Sequence, residues 1–117
     1  MPQPTTPDLF DQIRELRGRD ERRLQAGNPD VETVLLLAKV SEEANETIEK
    51  YRRSRGWFTD GVTNADPSEV ADELCSTIMA GLVALDRISP DARAHWTQYL
   101  AYGYERAQRE NTEALAS

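Results

Sequence analysis

The stretch "VETVLLLAKVSEEANETIEK", Val31 to Lys50, combines the chain's longest helical pattern with its densest group of carboxylates. Its first half is rich in Val and Leu, and its second half contains Glu42, Glu43, Glu46 and Glu49. Apolar residues recur at intervals of three and four rather than two, which predicts a helix. Because apolar residues nearly surround its first half, we expect several neighbours to cover this helix.

Helix signals also flank this stretch on both sides. The pattern "DLFDQIRELRGRDERRLQAG" predicts a first helix from Asp8 that breaks near Gly18 and closes at Gly27. The remaining predicted helices cover about 30–55, 67–88 and, after the "SPD" cap, 91–112. The sequence therefore predicts an all-α bundle of four to five helices, formed by one domain over 8–117 after a proline-containing disordered lead over 1–7.

Composition narrows the classes of function. A chain of 117 residues is expected to form one domain, and its net charge of −7 argues against a general binder of nucleic acid. Its apolar runs are too short for a membrane span, so we expect no membrane partner. With Cys75 as the single cysteine, no intramolecular disulfide can form, which agrees with a cytoplasmic protein.

The carboxylates continue the apolar stripes of the predicted helices. At about 100° per residue, Glu42 and Glu46 lie on the same side of the second helix as Leu35. Glu69 and Asp72 similarly begin the apolar stripe of the third helix. Because an ionised carboxylate is costly to bury alone, we expect protons, cations or a metal ion to neutralise these acids.

The two helices carry complementary acidic spacings. Glu-Glu-x-x-Glu occupies 42–46 and Glu-x-x-Asp occupies 69–72, with 22 residues between Glu46 and Glu69. A spacing of three places two side chains on one helix face, about 5–6 Å apart. Two such helices side by side would offer four oxygen ligands, a set that suits Mg²⁺ or Mn²⁺. The alternative is two polar helix faces supported by ion pairs.

Together, "KVSEEANE" (39–46) and "SEVADEL" (68–74) resemble the motifs of the MazG-like all-α nucleoside triphosphate pyrophosphohydrolases, EExxE followed by ExxD. The resemblance covers about residues 31–85. It implies a helical, usually dimeric or higher-order enzyme that cleaves a nucleoside triphosphate between the α- and β-phosphates, giving monophosphate and pyrophosphate. It further implies these metal ligands: Glu43, Glu46, Glu69 and Asp72. By the same resemblance, Glu42 would be an accessory ligand or would position the attacking water.

Two other functions fit the same motifs. A helical module of this fold could bind a partner or a nucleotide without hydrolysing it. The phosphoribosyl-ATP pyrophosphohydrolases share a similar "KVxEEAxE" stretch, but they usually continue with a histidine-containing segment where this chain has "ELCSTIM". We therefore place that biosynthetic activity below hydrolysis of nucleoside triphosphates.

Three further residues are candidates for contacting substrate. Lys39 could contact a phosphate or balance the acidic cluster, or it could simply pair with Glu43. Lys50 lies one turn after Glu46 and could hold a phosphate, although a cation near a helix end also suits the helix dipole. Trp57 follows the second helix and could stack on a base or anchor the loop.

Other polar positions are expected to face solvent, and one apolar surface is expected to be covered by a second copy. We expect Glu49, Glu73 and the basic stretch "RGRDERR" (17–23) to be solvated. The apolar start of the second helix, by contrast, needs more cover than two neighbouring helices supply. A dimer interface at this start is therefore our hypothesis.

Overall fold

A computed structural model describes residues 6–116 as four helices and their connections. The helices are α1 (Leu9–Leu24), α2 (Pro29–Ser54), α3 (Pro67–Ile88) and α4 (Ala92–Ala116). No strand occurs over 6–116, which confirms the all-α prediction. Most of the predicted lead over 1–7 lies outside the described residues.

Local sequence signals set the helix starts. The Asp66 side chain accepts the backbone N–H of Glu69, and the Glu69 carboxylate accepts the N–H of Asp66, which forms a capping box at α3. Asn28 caps α2 by accepting the N–H groups of Asp30 and Val31. These contacts explain why α2 and α3 begin within one residue of their predicted starts.

The first helix departs from its prediction in two ways. Gly18 lies inside a continuous α1, because residues on both sides of it pack against α2 and α3 and outweigh the roughly 1 kcal/mol helix penalty of glycine. The helix ends at Leu24 rather than near Gly27, since Gln25 adopts a left-handed conformation with φ 49°.

The second and third helices run antiparallel along each other. Near the start of α2, Arg87 of α3 donates to the Thr33 hydroxyl at 3.1 Å. Further along α2, the Thr47 hydroxyl lies 3.1 Å from that of Thr77, ten residues earlier in α3. Because later positions of α2 meet earlier positions of α3, these contacts establish both the direction and the register of the pair.

A small apolar core joins the first three helices. Ile13, Leu36 and Val83, one from each helix, are each 2% exposed and contact one another. Three of the seven buried apolar residues among 6–116 are alanines, namely Ala80, Ala84 and Ala92. Such a core buries little surface, so polar contacts around it contribute a large share of the specificity of packing.

Ion pairs surround this core. Asp20 of α1 is 6% exposed and lies 3.0 Å from the Arg19 guanidinium and 3.6 Å from Lys39 Nζ. Asp86 of α3 is 5% exposed and lies 3.3 Å from Arg17 Nη1. The expectation that 17–23 is solvated is therefore wrong for Asp20, whose charge is compensated by its partners.

Arg87 joins all three helices at the end of α3. Its guanidinium contacts the carboxylates of Glu21 on α1 and Glu32 on α2, and it donates to the Pro29 carbonyl at 3.0 Å. The hydrogen bonds that Arg87 donates to Glu21 and, to a smaller extent, to Glu32 raise the Arg87 pKa above its ordinary value. The guanidinium therefore remains charged and couples the three helices.

The fourth helix departs from the other three after its first turns. It packs against the end of α3, and Arg93 bonds to Asp8 at 2.8 Å near the start of α1. The radius of gyration is 18.6 Å, against about 13 Å for a compact domain of 100 residues. Within 6–116, no helix has the length and apolarity needed to cross a membrane.

Replacing Arg87 with Met should destabilise the protein by about 2 kcal/mol or more. The change removes several charge-assisted hydrogen bonds and leaves two half-buried carboxylates without their shared cation. Urea unfolding measures the loss. In the matched control, Arg106→Met removes an exposed pair with Glu110 on one helix and should change stability little. Equal effects of the two variants would contradict the role given to Arg87.

The pKa of the Asp8 carboxyl tests the contact between the start of α1 and Arg93 of α4. A hydrogen bond from Arg93 lowers the pKa of this carboxyl to about 2, well below its ordinary value. A depressed carboxyl pKa stabilises the folded state above about pH 4, and that contribution is lost as the pH falls toward 2. A carboxyl titration followed by NMR should give this low pKa in the wild type and a higher pKa in Arg93→Gln, where the hydrogen bond from the Asp11 N–H remains. An unchanged value in the variant would refute the contact.

Candidate metal centre between α2 and α3

A pair of threonines holds α2 and α3 together beside the acidic residues. The Thr47 hydroxyl lies 2.9 Å from the Glu43 carbonyl, and the Thr77 hydroxyl lies 3.2 Å from the Glu73 carbonyl. The two hydroxyl oxygens are 3.1 Å apart and partly buried. These contacts fix the register of the two antiparallel helices at the level of the acidic residues.

Three carboxylates meet at this level. Glu43 and Glu46 of α2 and Glu73 of α3 each place an oxygen atom within 4.8 Å of the others. Glu43 and Glu73 are half-buried, whereas Glu46 is exposed. The group therefore opens to solvent on one side, where an ion and a substrate could approach.

Mutual repulsion is the main electrostatic feature of this group. The charge of Glu43 makes the largest contribution to raising the Glu46 pKa above its ordinary value, followed by partial desolvation and the charge of Glu73. Among residues 6–116, no cation lies within salt-bridge distance of Glu43, Glu46 or Glu73. Hard carboxylate oxygens with uncompensated negative charge are a donor set that fits Mg²⁺ or Mn²⁺.

The other predicted carboxylates lie outside this group. Glu42 is exposed and borders a surface groove with Arg23 and Lys39. Glu69 is exposed and engaged in the α3 capping box, and Asp72 is exposed one turn further on. The structure thus brings together two of the four predicted ligands.

Glu73 is the member that the sequence analysis missed. We expected it to be solvated, but it is half-buried and takes the α3 position in the group. The acid of α3 that meets Glu43 and Glu46 depends on the register between the two helices, and no spacing within one helix encodes that register. Glu49, also expected to be solvated, is exposed.

The candidate cations lie on two sides of the carboxylates. Lys39 pairs with Asp20 of α1 rather than with Glu43, and it borders a cavity of about 100 Å³ together with Glu43 and Ser76. Lys50 and Arg53 line an open groove of about 340 Å³ whose other walls are Glu46, Glu49 and Glu73. Of these cations, Lys50 and Arg53 are therefore better placed to meet an anion bound at the carboxylates.

The aromatic residues after α2 pack against the end of that helix. Trp57 is 57% exposed and makes an edge contact with Tyr51, with ring centroids 5.6 Å apart. The Arg53 guanidinium lies 4.4 Å from the Phe58 ring centroid, so Phe58 supports Arg53 near the groove. Trp57 does not line the groove or the cavity next to the carboxylates.

The chain has no match among family models, curated proteins or solved structures. The MazG-like resemblance therefore remains an interpretation of two motifs.

Metal binding should be visible as a change in thermal stability. Millimolar Mg²⁺ or Mn²⁺ should raise the melting temperature of the wild type, because an ion that binds the folded state relieves the repulsion. Glu46→Gln should melt at a higher temperature than the wild type without metal, and should lose the metal-induced shift. Because its folded pKa is raised, Glu46 should also make the metal-free wild type more stable as the pH falls toward 4.5.

Matched variants identify the ligands on α3. If the observed grouping binds the ion, Glu73→Gln should abolish the metal-induced shift and Asp72→Asn should largely keep it. The reverse result would favour the ligand set that the resemblance implies. Glu49→Gln is the control on α2 and should retain the shift. Absence of any shift in the wild type at millimolar metal would count against a metal centre.

Proposed function

We propose that this protein is a Mg²⁺- or Mn²⁺-dependent nucleoside triphosphate pyrophosphohydrolase. It would hydrolyse the bond between the α- and β-phosphates and release a nucleoside monophosphate and pyrophosphate. The observation that carries this proposal is the convergence of Glu43, Glu46 and Glu73 beside a groove that also contains Lys50 and Arg53. The two acidic motifs support it independently. A cytoplasmic location, where nucleoside triphosphates are abundant, is part of the proposal.

The carboxylates would hold the metal ion. Glu43 and Glu46 approach from α2 and Glu73 from α3, and the exposed side of Glu46 leaves access for substrate. Glu69 and Asp72, the α3 ligands implied by the resemblance, would take part if their side chains turn toward the group. A bound divalent ion neutralises phosphate charge and lowers the pKa of a coordinated water.

Charged side chains of α2 would orient the triphosphate and the water. Lys50 and Arg53 supply positive charge in the groove, and Phe58 supports the Arg53 guanidinium from behind. Glu42, one residue before Glu43, would accept a hydrogen bond from the attacking water or serve as an accessory ligand. Lys39 is occupied by Asp20, and we assign it to holding α1 against α2.

Ser76 favours a second candidate function. It borders the cavity beside Glu43, where it offers a hydroxyl instead of another carboxylate. With fewer acidic ligands, the same fold could bind a nucleotide or a partner without hydrolysis. Of the two functions, hydrolysis makes fuller use of the three converging carboxylates.

A substrate panel tests the proposed activity. The wild type incubated with nucleoside triphosphates, phosphoribosyl-ATP and Mg²⁺ should release pyrophosphate from at least one of them. Glu46→Gln should lower kcat/KM by about 100-fold or more, since even outer-shell partners of a metal are worth about 10–100-fold. The exposed Glu15→Gln on α1 should behave like the wild type.

Product identity separates the alternatives. Monophosphate and pyrophosphate support the proposal, whereas diphosphate and inorganic phosphate would show a different bond cleavage. Release only from phosphoribosyl-ATP would indicate the biosynthetic activity. Nucleotide binding by calorimetry without any product would support the non-catalytic module.

A further inference from the structure

The fourth helix exposes an apolar surface along much of its length. All 25 residues of α4 are described, and of these only Ala92 is buried. The α4 stripe consists of residues that share one side of the helix, with these exposures: Trp96 38%, Tyr99 66%, Leu100 55% and Tyr104 62%. Because packing of an apolar face supplies most helix stability in water, such a stripe predicts a covering surface.

A second uncovered surface lies on α2 and α3. The α2–α3 face consists of four aliphatic side chains: Leu37 (47% exposed), Ile48 (57%), Leu74 (49%) and Ile78 (53%). Ile48 and Ile78 directly follow the paired residues Thr47 and Thr77. A step of about 100° therefore turns both isoleucines out of the contact between the two helices.

The first helix occupies the other side of this pair. Lys39 of α2 meets Asp20 of α1, and Val83 of α3 packs against Ile13 of α1. By helix geometry, the α2–α3 face lies on the side away from these contacts. The three-helix body thus leaves these four aliphatic side chains exposed, while its own α4 extends elsewhere.

We propose that two copies of this chain form a dimer by exchanging α4. The α4 stripe of each copy packs on the α2–α3 face of the other, so that one two-fold axis generates both contacts. The lengths agree, since helices of 22 to 26 residues span about 33–39 Å. In this exchange, the α4 stripe and the α2–α3 face cover each other.

Charge favours α4 as the occupant of the α2–α3 face. Counting Asp, Glu, Lys and Arg, α2 carries a net charge of −2, α3 carries −3 and α4 carries zero. Placing the α2–α3 faces of two copies together would bring two helix pairs of net negative charge close to each other, at an electrostatic cost. Covering each face with a neutral α4 avoids this repulsion.

The available surface is adequate for a stable dimer. Trp and Tyr side chains bury about 150–250 Å² each when covered completely, and the α4 stripe contains three of them. A standard interface buries about 800 Å² per partner. In an exchange, every copy contributes both a stripe and a face, so each partner's buried surface includes three aromatic and five aliphatic side chains.

This inference does not depend on the proposed hydrolysis. On their helices, Ile48 and Ile78 lie about 140–160° from Glu46 and Glu73 respectively, which leaves the carboxylates accessible in the dimer. A change in oligomeric state and a loss of metal-induced stabilisation are consequently separate readouts.

Light scattering after size-exclusion chromatography is the first test. The wild type should have about twice the chain mass of 13.2 kDa. Leu100→Glu and Ile78→Glu should each raise the dimer dissociation constant by about 30-fold or more, as expected for a central interface residue. Gln98→Glu is the control, because Gln98 is exposed and lies on the opposite side of α4 from Trp96 and Leu100.

Which of these variants dissociate the dimer shows how the two copies pack against each other. Circular dichroism checks that every variant remains helical. A monomeric wild type, or equal weakening by Gln98→Glu, would overturn the proposal. Disruption by Leu100→Glu alone would instead indicate pairing of two α4 helices, and disruption by Ile78→Glu alone would indicate pairing of two α2–α3 faces; either result overturns the exchange.

Mixing the two disrupted variants gives the sharpest test. A heterodimer of Leu100→Glu and Ile78→Glu keeps one intact stripe on one intact face, whereas either variant alone has no intact contact. With one variant isotope-labelled, native mass spectrometry should detect a heterodimer at a concentration where each variant alone is monomeric. Absence of the heterodimer would overturn the exchange.

Discussion

The Arg87 guanidinium is the interaction on which the three-helix body depends. It places one positive charge between carboxylates of α1 and α2 at the end of α3. The apolar core that it supports is small, so the ends of the helices are positioned by electrostatics as much as by burial. Because this contact and the threonine pair act at different levels of the same two helices, together they determine which side chains of α2 face which side chains of α3.

That register determines the composition of the candidate metal centre. Because α2 and α3 are antiparallel, the turn before Thr77 on α3 lies beside the turn after Thr47 on α2, and from this level the Glu73 side chain approaches Glu46 and Glu43. Glu69 lies another turn toward the start of α3, where its carboxylate completes the capping box. The residue that begins the acidic motif on α3 thus has a structural role of its own, and the half-buried residue after the motif joins the carboxylate group.

Local signals were sufficient to predict the helices, and contacts between helices were not. The bounds of α3 agree with prediction because Asp66, Pro67 and Glu69 act within one helical turn. Gly18 was expected to interrupt α1, yet packing outweighs its low helix propensity. The burial of Asp20 and the role of Glu73 depend on which face a neighbouring helix covers, and helical periodicity within a single segment does not contain that information.

The separation of α4 from the body has a consequence for the order of folding. Contacts among α1, α2 and α3 lie within one chain, so these three helices can collapse together in one unimolecular step. The fourth helix contributes few contacts to that step and would complete its burial only by meeting another molecule. Assembly would then be second order in protein, and a dilute, newly synthesised chain would persist as a folded body with an uncovered helix.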